Sequence, residues 1–98
     1  MVKTYYLRDG SPTDAETWKA LQADAGYVQV QKTMLPNGRW ISTIWLGIDQ
    51  REALSDDAPF LFESVVFDDA TRRPLATLKH TSEADAVTAH QRLIEQWA

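Results

Sequence analysis

The chain has 98 residues, 44% of them hydrophobic and 24% charged, and its fourteen acidic and ten basic residues leave a net charge of −4. That length makes one small domain, 1–98. The charge speaks against a general nucleic-acid surface, which needs clustered Lys and Arg, and the absence of cysteine excludes disulfides and zinc–thiolate sites.

The N-terminal "MVKTYYLRDG" holds no apolar stretch long enough for a signal peptide, and no segment approaches a membrane span, so a cytoplasmic protein is expected. Lys3 to Arg8, with Tyr5, Tyr6 and Leu7, reads as a first strand. Asp9-Gly10 is turn chemistry. Ser11 or Thr13 then caps a helix running to about Asp24, with Trp18 and Leu21 on its inner side and Gly26 ending it. Tyr27 to Leu35 alternates apolar and polar residues, as a half-wet strand does.

Asn37-Gly38 is the strongest hairpin signal in the chain, and a two-residue turn there places Leu35 opposite Trp40 and Met34 opposite Ile41. This register predicts a helix-covered face of Val28, Val30, Met34, Ile41 and Trp45. It leaves Trp40, Ile44, Leu46 and Ile48 on a second face with Gln29, Gln31 and Thr33. Gly47, inside the apolar run "RWISTIWLGID", marks a bulge or close packing against a large residue. Asp49 to Pro59 reads as a polar loop with a helical turn at Glu52 to Leu54. Phe60 to Phe67 and Leu75 to Lys79 are two further strands joined by "DDATRRP". Thr81 or Ser82, with Asp85 three residues beyond Ser82, caps a final helix whose stripe is Ala86, His90, Leu93 and Trp97.

The order β-α-β-β-β-β-α gives an α+β fold, an antiparallel sheet of about four to five strands with two helices. Two helices cover one sheet face, so the apolar row of the other face calls for a partner or a second copy of the chain.

Two residues invite chemistry. His90 lies on the apolar stripe of the last helix, and Glu63 interrupts an apolar strand; together they suit either a catalytic dyad or a structural core link. His80 reads as an exposed loop residue. Metal-ligand spacings, phosphate loops and nucleophile elbows are absent, so no metal and no cofactor is expected. Arg72-Arg73 is a local basic spot able to grip a partner's carboxylates.

Three segments, "ISTIWLGID" at 41–49, "PFLFESVVFDD" at 59–69 and "TSEADAVTAH" at 81–90, resemble an uncharacterised family of small phage- and prophage-encoded proteins. The family pattern is S-T-x-W-L-G-x-D, then F-E-x-x-V-F, then S/T-x-x-E-A ending in His. The chain departs from it at Ala89, where the family carries Gly, and at Gln50, where it carries His. The resemblance implies a mobile-element accessory protein that acts by binding host or defence proteins, with an anti-CRISPR-like inhibitor as its sharpest form. The alternatives are a homodimeric assembly accessory and a minimal enzyme built on Glu63, His90 and Asp49. The partner-binding residues expected on this reading are Trp40, Ile44, Leu46, Ile48, Arg72 and Arg73.

Overall fold

The computed structural model describes residues 4–49 and 58–98. Its elements are β1 (Tyr5–Tyr6), β2 (Pro12–Thr13), α1 (Ala15–Gln22), α2 (Ala25–Val28), β3 (Gln29–Met34), β4 (Arg39–Trp45), β5 (Phe62–Asp68), β6 (Pro74–His80) and α3 (Glu83–Trp97). Strands β3 to β6 form an antiparallel meander in chain order, and β1 and β2 form a separate two-stranded ribbon. The α+β class and the four-strand run therefore stand, with an added short strand and an added short helix. The helical turn expected at Glu52 to Leu54 lies outside the described residues, as does Lys3.

Aspartates rather than the expected Ser11 or Thr13 punctuate the first helices. The Asp14 carboxylate accepts from the Thr17 amide at 2.7 Å and caps α1, while Pro12 and Thr13 pair with β1. The Asp24 carboxylate accepts from the Gly26 and Tyr27 amides and starts α2, so Gly26 lies inside a helical turn instead of ending α1. At the far end Ser82, one of the two expected caps, starts α3, its hydroxyl accepting from the Asp85 amide at 3.1 Å.

The β3–β4 hairpin departs from the expected register by one residue. Leu35 N–H donates to the Arg39 carbonyl at 2.8 Å, Gly38 N–H donates to the Leu35 carbonyl at 3.3 Å, and Gly38 has φ +85°. This is a three-residue loop, a type I turn over Pro36 and Asn37 followed by a left-handed glycine. The fixed φ of Pro36 suits the first central position of that turn, whereas a two-residue turn needs positive φ at Asn37. Asn37 also ties the turn to the end of α3, donating from Nδ2 to the Trp97 carbonyl at 2.8 Å.

Met34 now pairs with Trp40 and Thr33 with Ile41. Thr33 and Leu35 therefore face α3, and Met34 points the other way, 61% exposed, rather than into the core. A bulge between Gln29 and Gln31 shifts the register again, and Val28 and Val30 pack inward against Trp45 as expected.

The helices cover one face of the sheet and divide its core into two apolar clusters. One holds Leu35, Ile41, Val66 and Leu93, with Ala76, Ile94 and Trp97 against it. The other holds Trp45, Leu61, Phe62 and Ala86, with Tyr6, Trp18, Leu21 and Tyr27 around it. Gly47, at φ +67°, lies so close under the Trp45 ring that a Cβ there would overlap it. The Trp45 indole N–H is satisfied by the Tyr6 carbonyl at 3.1 Å.

Candidate functional site

Two groups of residues stand out, one on each face of the sheet. On the face away from the helices, Trp40 of β4 sits directly across from Phe67 of β5. Their rings stack at 4.2 Å between centroids with 19° between planes. Such a pair contributes about 0.5–1.5 kcal/mol beyond area burial. Lys32 places its ammonium 4.8 Å from the Trp40 ring centre. Alternation along the strands puts Met34, Ser42, Ile44 and Val65 on this same face, with Glu63 cross-strand from Lys79.

The sequence-predicted partner-binding residues divide here. Trp40 and Ile44 lie together on the open face. Leu46 lies past the end of β4, where its carbonyl accepts from Trp18 Nε1 and Gln22 Nε2, both at 2.9 Å. Ile48 is 8% exposed and bridges to Tyr5, so its expected place on the outer row is corrected: it is buried where the chain pairs with β1. Arg72 and Arg73 sit exposed in the β5–β6 turn, at the Trp40–Phe67 end of the sheet, with Arg72 at φ +56°.

On the covered face, a continuous string of side chains crosses the sheet. His80 Nε2 lies 2.9 Å from Ser64 Oγ, Ser64 Oγ 2.6 Å from Thr43 Oγ1, and Thr43 Oγ1 2.7 Å from His90 Nδ1. His90 Nε2 then lies 2.9 Å from Thr33 Oγ1. The string joins β6, β5, β4, α3 and β3 in that order. Thr43, Ser64 and His90 are fully buried, and His80 is 8% exposed. On each of three elements the polar residue lies between members of the two apolar clusters: Ile41, Thr43, Trp45 on β4; Val66, Ser64, Phe62 on β5; Leu93, His90, Ala86 on α3.

Two expectations are corrected by this arrangement. His80 is buried in the string and not an exposed loop residue, because β6 extends through it and pairs it with Phe62. Glu63 and His90 do not form a dyad. Glu63 is adjacent to Ser64 on a strand, so its side chain leaves on the opposite face from the one His90 packs against. Sequence reasoning missed Thr43 and Ser64. Their signal was a hydroxyl residue flanked at two-residue spacing by large apolar residues on what proves to be the inner face.

Burial lowers the pKa of both histidines from the usual imidazole value, since a charged ring is poorly solvated there. At His80 the charge of Asp85 opposes that effect in part. No group of three or more His, Asp or Glu comes together as a metal site among the described residues.

A cleft of about 530 Å³ opens beside the start of α3, lined by residues including Leu7, Arg8, Tyr27, Phe62 and Glu83. Its Arg8 is already held by Glu83, by the Tyr27 carbonyl at 3.2 Å and by the Tyr27 ring. No helix of the described residues is long and apolar enough to cross a membrane. No protein-family model, curated protein or solved structure matches the chain.

Proposed function

We propose that the chain is a small protein-binding module that meets its partner through the open sheet face, with Trp40 and Phe67 as the anchor. The observation that carries this reading is the aromatic stack, flanked by exposed Met34 and by Ile44 and Val65 on a face the helices leave uncovered. Aromatic residues concentrated at the centre of a patch are the usual anchors of protein interfaces.

Charge points to the kind of partner. The face and its adjoining turn carry Lys32, Lys79, Arg72 and Arg73 against Glu63, Asp68 and Asp69, although the whole chain is at −4. A surface rich in carboxylates complements that rim, and a second copy of the same face does not. The resemblance to phage and prophage accessory proteins adds a context. The partner in that reading is a host or defence protein of the cytoplasm, and inhibition of a defence complex is its sharpest form.

The test is capture from host lysate with the wild-type chain and with Trp40→Ala and Lys32→Glu. A stoichiometric protein recovered by the wild type, released by either variant and weakened by added salt supports the reading. Recovery that is unchanged in both variants sinks it. So does a wild-type dimer in light scattering that becomes monomeric with Ile44→Asp, which would assign the face to self-association.

A further inference from the structure

The buried string allows its protons to be counted. A hydroxyl donates one hydrogen and accepts up to two; a neutral imidazole donates from one nitrogen and accepts at the other; a charged imidazole donates from both. With both rings neutral, the string has two consistent polarities. In one, Thr33 donates to His90 Nε2, His90 Nδ1–H to Thr43, Thr43 to Ser64, and Ser64 to His80 Nε2. In the other, every donor and acceptor is exchanged.

One added proton is also accommodated. A charged His90 donates to Thr33 and Thr43, and the hydroxyls still run toward a neutral His80 that accepts at Nε2. A charged His80 donates to Ser64, and the hydroxyls run toward a neutral His90 that accepts at Nδ1. A second proton has no such solution. With both rings donating inward, Thr43 and Ser64 each receive a hydrogen bond, and only one of them can donate to the other. The remaining hydroxyl hydrogen loses its acceptor within the string, in a part of the core where Thr43 and Ser64 are fully buried.

We propose that His80, Ser64, Thr43, His90 and Thr33 form a single-proton store, and that a second proton strands one buried hydroxyl hydrogen in the string and loosens α3 from the sheet. His90 is the link that matters for the helix, since it alone joins α3 to the hydroxyls of both β3 and β4 in this string. Among the described residues of the elements packed on the string, the other charged groups lie elsewhere. Lys32, Glu63 and Lys79 project from the opposite sheet face, Arg39 lies over the Trp97 ring at 5.3 Å, and Arg92 and Glu95 are exposed on α3. Asp68 is at the far end of β5 opposite Arg39, and Glu83 is paired with Arg8. Asp85 acts on His80.

Nitrogen-15 spectra of the two histidine rings, followed from neutral to mildly acid pH on the full chain, test the idea. The expected result is two linked steps separated by about one pH unit or more. Between the steps the tautomer of the neutral ring is dictated: Nδ1–H on His80 if His90 is charged, or Nε2–H on His90 if His80 is charged. Ser64→Ala should uncouple the two titrations, and Ser64→Thr should restore the coupling. Amide exchange in α3 should rise with the second step while that in β4 and β5 stays slow. The opposite tautomer in the one-proton state overturns the proposal on the wild-type chain alone, whether or not Ser64→Ala folds. Coupling that survives Ser64→Ala, or α3 protection unchanged across the second step, overturns it as well.

Discussion

The two faces of the sheet are built from the same four strands, yet they solve opposite problems. The inner face is largely dry and carries a polar string threaded between apolar clusters. The outer face is wet and carries an apolar stack ringed by charge. Each places against its surroundings the group that is hardest to accommodate there. On the inside the buried hydroxyls and both His90 nitrogens need partners, and the string supplies them. On the outside the Trp40 and Phe67 rings cover each other with Lys32 over Trp40, and a partner can supply the rest. Buried polar groups here constrain the fold, while exposed apolar groups leave something for binding.

That contrast can be attacked directly. The largest effect is expected from matched truncations on β4. Ile41→Ala, inside, should lower unfolding stability by about 2–5 kcal/mol in urea melts, because a cavity opens in a packed cluster. Ile44→Ala, outside, should cost well under half as much. Equal losses would show that the outer face is as tightly packed as the inner one.

Thr43→Val comes next. It preserves shape but leaves His90 Nδ1 and Ser64 without their shared partner, at a cost of about 1–3 kcal/mol. Thr77→Val, on the outer face of β6, should stay within about 0.5 kcal/mol.

Acidity should separate the faces too. The histidines have lowered pKa values in the folded chain, so the unfolded chain binds more protons once pH falls through the usual imidazole value of 6.5. Stability is therefore fully present above that pH and declines below it. His80→Gln with His90→Gln should flatten the dependence near pH 6.5, while Lys32→Gln, outside, should not. Asp9 and Asp14, also lowered, by bonds from Ser11 and Thr17, act in the same direction only as pH falls below about 4.

The smallest effect belongs to the turn. Arg72→Gly relieves a left-handed backbone and should leave stability within about 1 kcal/mol, on the favourable side, while removing one cation from the rim. If thermal melts show a marked loss instead, the Arg72 side chain holds the turn.

Much of this was legible in the sequence, and the failures are specific. Ser82 and Asp85 announced the start of α3, and its stripe named Ala86, His90 and Leu93 as buried. Ile41 and Trp45 were readable as core, and Trp40 and Ile44 as the outer pair. What misled was Asn37-Gly38, whose strong two-residue signal hid the preference of Pro36 for the first corner of a longer turn. The Thr33 side chain was thereby assigned to the wrong face, and with it one end of the polar string. Burial of His80 was hidden for a different reason. Nothing near it in sequence is strongly apolar after Leu78, and its cover comes from tertiary neighbours, with Phe62 its cross-strand partner.

The turn at residues 36–38 and the bulge at Val30 each change the parity of β3 by one residue, and they act in series. Between them lies a short stretch whose inside and outside are reversed relative to the rest of the strand. The β4–β5 pairing contains no such shift along its length. A single-residue insertion or deletion in that turn would therefore do more than lengthen or shorten a loop. It would send Thr33 away from His90 and drive Met34 inward. Length changes in this hairpin should be tolerated only in compensating pairs, one at the turn and one at the bulge, so relatives of the chain should vary there together or not at all.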